Sequence, residues 1–119
     1  MKEFMILIKT EGNAWDLPQG ELQDHLQKVV VYIENLIKAG NFKSAQPLAY
    51  EGAIISGTKG KLKDGPFNEA KEVIAGYFLI LAKDLDEAIR IGMQNPIFEI
   101  SLTAKLEVRP VVIQKGIND

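Results

Sequence analysis

The chain has 119 residues, 46% hydrophobic and 25% charged, with 14 Lys/Arg against 16 Asp/Glu for a formal charge of −2. That is the size of one globular domain, and its charge balance excludes the net basic face of a general nucleic-acid binder. The absence of cysteine and the single histidine exclude a disulfide framework, a thiol nucleophile and a His-rich metal site within one subunit.

No apolar run approaches the ~18 residues of a membrane span, and no basic start leads into a long apolar stretch as in a signal peptide. The expectation is a soluble, cytoplasmic domain with no nucleic-acid or membrane partner. Along the chain, Glu3–Lys9 reads as a strand whose core, Phe4-Met5-Ile6-Leu7-Ile8, is apolar on both faces. A polar loop containing Trp15 follows. Pro18 opens a helix that runs to about Ala39, with Leu22, Leu26, Val29, Val30, Ile33, Leu36 and Ile37 at helical spacing, and Gly40 ends it.

Asn41–Pro47 reads as a second strand. Gly52–Gly57 and Lys61–Lys63 flank a turn at Lys59-Gly60 and form a small hairpin, after which Asp64-Gly65-Pro66-Phe67 reads as a loop. Val73–Ala82 is again almost wholly apolar, and Gly76 within it marks a bulge or a close approach of a neighbour. Asp84 with Glu87 makes a capping box for a helix in which Gly92 permits close packing, and Asn95-Pro96 stops that helix. The stretch Ile100–Arg109 alternates apolar and polar residues and reads as an edge strand.

The order is β-α-β, a hairpin insertion, then β-α-β. Two split β-α-β units side by side make an α+β, ferredoxin-like sandwich with the two doubly apolar strands at its centre. Both helices cover one sheet face, so the apolar character of the other face calls for a cover, and a homodimer packed sheet to sheet supplies it.

The string Asp64-Gly65-Pro66-Phe67, followed by Glu69, Lys71 and Glu72, resembles the YCII-related or DGPF-domain family. The resemblance extends to Ala75-Gly76-Tyr77-Phe78, Asp84–Ala88 and Glu107–Val111, and spans roughly residues 3–112. It implies a ferredoxin-like fold of the dimeric α/β-barrel type. In one branch of that family a His on the first helix and an Asp before a Pro at the end of the second helix are proposed as an active-site pair. The corresponding positions here are Val29 and Asn95, so that acid–base chemistry does not carry over, and His25, one turn earlier, is not an aligned substitute.

The remaining candidates are weighed one by one. Asp64 either serves a ligand at the cleft mouth or caps backbone N–H groups in a turn. Glu69, Lys71 and Glu72 either line a polar pocket or form a solvated turn leading into a strand, with Lys71 suited to an anionic group. His25, the one side chain that titrates near neutrality, stands at the border of the apolar stripe, as an acid–base group or a half-buried packing residue. Trp15, Tyr50, Phe67 and Tyr77 either offer aromatic walls for a small ligand or are simply core, and Arg109 can grip a carboxylate or join a surface or dimer salt bridge.

The candidate catalytic residues are thus Asp64 and His25, and the candidate ligand-binding residues Asp64, Phe67, Glu69, Lys71, Arg109 and Trp15. No dinucleotide loop, P-loop or zinc spacing is present, so no cofactor and no metal is implied. The expected function is a small dimeric binding or regulatory module that takes a small-molecule ligand. The alternative is a cofactor-independent enzyme, isomerase- or oxygenase-like, with its pocket between the first helix and the sheet.

Overall fold

A strand turns alternate side chains to opposite sides, so the run Phe4–Ile8 must present apolar groups to both faces of a sheet. In the computed structural model, which describes residues 1–66 and 71–119, that run lies in β1 (Lys2–Thr10). There follow α1 (Gln19–Lys38), β2 (Phe42–Pro47), β3 (Ala53–Thr58), β4 (Lys61–Pro66), β5 (Val73–Ala82), α2 (Leu85–Met93), a short α3 (Ile97–Ile100) and β6 (Lys105–Pro110). Four strands form one antiparallel sheet in the order β2-β5-β1-β6, and β3 and β4 form a separate hairpin. The two doubly apolar strands are therefore central and β6 is an edge, the α+β ferredoxin-like arrangement expected of the sequence.

The register sorts the side chains. Phe4 lies opposite Ile80 and Ile6 opposite Phe78, and all four are buried beneath the helices with Ala88, Ile91 and Ile97. Met5 lies opposite Leu79 and Leu7 opposite Tyr77 on the other face, where they are only partly covered. Charged pairs surround that apolar centre: Lys9–Glu107 at 2.8 Å, Lys105–Glu72 at 3.1 Å and Lys43–Glu3. Within the first pair, the hydrogen bond and charge of Glu107 raise the Lys9 pKa, and those of Lys9 lower the Glu107 pKa.

The helix ends follow from local chemistry. Gly40 takes φ +77° after α1, and the Gly40 and Asn41 amides donate back to the Ile37 and Leu36 carbonyls at 3.0 and 2.8 Å. Asp84 caps α2 by accepting from the Glu87 amide at 2.9 Å, while the Glu87 carboxylate accepts from the Lys83 amide at 3.0 Å. Gly76 stands opposite Pro47, beside a register shift at which Ile8 and Lys9 pair with Gly76 and Ile74, so that Ala75 is the extra residue on β5. A Cβ there would lie 2.8 Å from the Gln46 carbonyl oxygen, so the close approach expected of this glycine is present. Gly92 differs: a Cβ would meet the Val108, Leu106 and Ile6 methyls at 3.6, 3.8 and 3.9 Å, ordinary contacts, so close packing does not require glycine there.

Two element boundaries depart from the sequence reading. Asp64-Gly65-Pro66 is strand rather than loop, paired with Ile55, Ile54 and Ala53 in the hairpin. Both strands of a two-stranded sheet are edges, where proline is tolerated. The alternation from Ile100 to Ala104 is not strand: Asn95 and Pro96 start α3, Ile97 is buried in the core, Leu102 is fully exposed, and pairing begins only at Lys105. Both outer strands of the main sheet end in proline. The following amides donate inwards, Leu48 to the Ala75 carbonyl at 2.8 Å and Val111 to that of Glu3 at 3.0 Å.

The hairpin stands off the sheet. It packs its strands against each other, leaving Ile55 73% and Leu62 64% exposed. The radius of gyration is accordingly 16.0 Å, against the ~13.5 Å that the compact-domain scaling gives for this length.

Candidate functional site

Helical spacing places His25, Val29, Tyr32 and Leu36 on the face of α1 that meets the sheet. His25, Tyr32 and Leu36 are buried there. Near the N-terminal end of α1 this face does not close completely on β1 and β5. A cavity of about 120 Å³ is lined by His25 and Val29 of α1, Ile8 and Phe78 of the sheet, the exposed Gln46 of β2, and Trp15 and Asn95.

Each polar group at the cavity is placed by a separate element. Trp15, in the loop between β1 and α1, is fixed by its indole N–H, which donates to the Leu48 carbonyl at 2.8 Å. Its ring centroid lies 6.1 Å from that of His25, with the planes tilted by 35°. Asn95, at the junction of α2 and α3, is 4% exposed. Its Oδ1 accepts from the Ile97 amide at 2.9 Å, and its Nδ2 has no hydrogen-bond partner among the described residues.

His25 is 3% exposed, and its buried Nδ1 likewise has no hydrogen-bond partner there. Burial lowers the His25 pKa below its ordinary value; Glu99 opposes this and Lys28 adds to it. Those two charges neutralise each other in an ion pair of 3.0 Å between α1 and α3. At neutral pH the imidazole is therefore uncharged. Below it, the Tyr32 hydroxyl donates to the Ile91 carbonyl at 2.6 Å. Burial raises the phenol's pKa, and the neighbouring Asn95 side chain opposes that rise, so the Tyr32 oxygen is an acceptor close to Asn95 though not within hydrogen-bond geometry of its Nδ2.

Of the residues singled out from the sequence, the structure brings His25 and Trp15 together at this cavity. Asp64 lies on the hairpin, exposed, opposite Ile55, and its carboxylate makes no hydrogen bond to the described residues. Among the described residues it caps no turn, and it is not part of this cavity's lining. Lys71 is exposed, 3.7 Å from Glu11. Arg109 is exposed on the open sheet face, 3.9 Å from Glu107. Phe67 and Glu69 lie outside the described residues.

Asn95 is the polar group that sequence reasoning passed over as a helix stop and a lost dyad position. The available signal was its place before Pro96, where the family branch carries the Asp. A wider groove of about 490 Å³ runs between the hairpin and the start of β5. Its acidic lining residues are the exposed Glu51 and the half-buried Glu72. The buried Glu72 Oε2 makes no hydrogen bond among the described residues but lies 3.1 Å from the Lys105 ammonium, so the groove's buried polar atom already faces a counter-charge. Among the described residues, no helix is long and apolar enough to cross a membrane.

Residues 2–112 match the family model of the YCII-related domain. No curated protein matches the chain significantly.

Proposed function

The chain belongs to the YCII-related family, and on that premise we propose that it is a small-molecule binding module whose pocket lies between α1 and the sheet. The observation that carries this reading is the pair of buried polar atoms, His25 Nδ1 and Asn95 Nδ2, that make no hydrogen bond among the described residues at one largely apolar cavity. A buried polar group without a hydrogen bond costs about 1–3 kcal/mol, and two at one cavity suit a site whose ligand supplies the missing bonds.

Binding fits this chemistry better than acid–base turnover. A general base is ordinarily oriented by a third group, and His25 has none among the described residues. Asn95 presents a carboxamide, which does not titrate in the working range.

The module is proposed to act as a homodimer through the open sheet face. The support is the half-covered apolar centre of Met5, Leu7, Tyr77 and Leu79 within a rim carrying charges of both signs. A two-fold axis sets such a surface against itself. Sedimentation at micromolar concentration should give twice the 13.2 kDa of one chain; a monomer mass there overturns the dimer.

For the pocket, the test is an NMR screen of small soluble ring compounds against the uniformly labelled protein. Compounds that bind should move the Trp15 indole, His25 ring and Asn95 side-chain amide signals together. A screen in which none of the three moves overturns the binding reading.

A further inference from the structure

Every charged group stands back from the cavity. None of its described lining residues is Asp, Glu, Lys or Arg, and the nearby Lys28 and Glu99 satisfy each other. Apart from His25, Asn95 and the exposed, uncharged Gln46 at its edge, the walls are Ile, Val, Leu, Ala, Pro, Gly and aromatic groups. A full charge brought into such a site loses its hydration and meets no counter-charge, a cost of several kcal/mol per ion. An uncharged molecule with a hydrogen-bonding edge loses little. Asn95 Nδ2 can only donate, carries two protons, and has the Tyr32 oxygen near it but outside hydrogen-bond geometry, so it has room for an acceptor on a ligand. His25 Nδ1 in a neutral imidazole either donates or accepts, and no partner among the described residues fixes the tautomer.

Size narrows the class further. An apolar cavity of about 150 Å³ holds benzene, so the ~120 Å³ here admits a ring of about five atoms with one polar substituent. Trp15 and Phe78 supply flat faces for it.

We propose that the pocket selects an uncharged, compact ligand that presents a carbonyl to Asn95 and a hydrogen-bonding group to His25, a lactam or cyclic amide being the chemical type. This rests on the reading of the cavity as a binding site and commits it to a ligand class.

The test uses four probes of matched size at pH 7: 2-pyrrolidinone, cyclopentane, pyrrolidine (a cation at that pH) and cyclopropanecarboxylate. Each is titrated into the full-length protein with the Asn95 side-chain amide and His25 ring observed by NMR. Pyrrolidinone should bind saturably and tightest, and move both signals. Asn95→Ala should weaken it about fivefold, the equivalent of the ~1 kcal/mol of one net hydrogen bond.

A conservative second variant guards against loss of the α3 cap. Asn95→Asp keeps an oxygen for the Ile97 amide and places a carboxylate in the pocket, and it should shift preference from pyrrolidinone to pyrrolidinium. Tighter binding of either charged probe to the wild type overturns the uncharged class while leaving the pocket standing. Cyclopentane binding as well as pyrrolidinone, with no effect of Asn95→Ala, overturns the polar anchors. If none of the four probes binds, cyclopentane included, the binding-site reading falls with the ligand class.

Discussion

The central sheet and the inserted hairpin are built from the same material and held in different ways. In β1 and β5, Phe4, Ile6 and Ile80 are sealed between sheet and helices. In β3 and β4, Ile55 and Leu62 carry comparable apolar surface and leave most of it in water. A lone two-stranded hairpin is marginal in water, whereas a central strand is fixed by neighbours on both edges and a helix layer above. Strand-forming residues therefore give local geometry in both regions, but only burial converts that geometry into stability. The pocket lies on the sheet side of this contrast, so its polar groups are carried on the rigid part of the molecule.

The largest expected effect is on the sealed side. Phe4→Ala should cost about 3–5 kcal/mol as a large-to-small change in a filled core. Ile55→Ala on the hairpin should stay within about 0.5 kcal/mol, as for exposed positions generally. Denaturant melts of the two variants decide this, and equal losses would mean that the hairpin is packed in solution.

Next comes a comparison of two buried glycines. Gly76→Ala should cost about 1–3 kcal/mol, because its Cβ meets the fixed Gln46 carbonyl rather than a movable side chain. Gly92→Ala should instead gain about 0.5–1 kcal/mol, since α2 loses a flexible residue and the new methyl makes ordinary contacts. Thermal melts that shift in the same direction would dissolve the distinction.

The mildest effect is one of pH. Burial first of all depresses the His25 pKa, so below its ordinary value near 6.5 the unfolded chain takes up a proton that the folded protein refuses. Stability should be flat in this respect above pH 6.5, and should fall as pH drops from there towards the lowered folded value. His25→Phe should flatten that part of the profile. A wild-type profile parallel to that of the variant between pH 5 and 7 would show that His25 titrates normally.

Where local pattern and burial pointed the same way, the sequence was readable. The unbroken apolar runs at Phe4–Ile8 and Val73–Ala82 require neighbours on both faces, which placed both strands at the centre. Gly40 and Asp84 carry their end-of-helix chemistry in the residue itself. Where a short pattern lacked tertiary support, reading failed: the alternation at Ile100–Ala104 is overridden because Ile97 is drawn into the core and Asn95 caps a turn of helix. Asp64-Gly65-Pro66 has the composition of a turn, yet it continues a ladder that has no further strand to offend.

The site was half legible. His25 and Trp15 stand out by type. That they meet Asn95 depends on the crossing of α1 over the sheet and on the α2–α3 junction, distances of tens of residues along the chain that no local spacing encodes.

The prolines closing β2 and β6 have a consequence for self-association. In both strands the next amide points inwards, to Ala75 or Glu3, so the proline nitrogen itself faces away from the sheet. Its missing N–H removes no bond from the native ladder. It does deprive an incoming strand of a donor at that end of each open edge, while the ring crowds the same approach. The two flanks along which cross-β growth would begin are thus blunted at no cost to the fold, and the pyrrolidine rings act as stops against fibre extension.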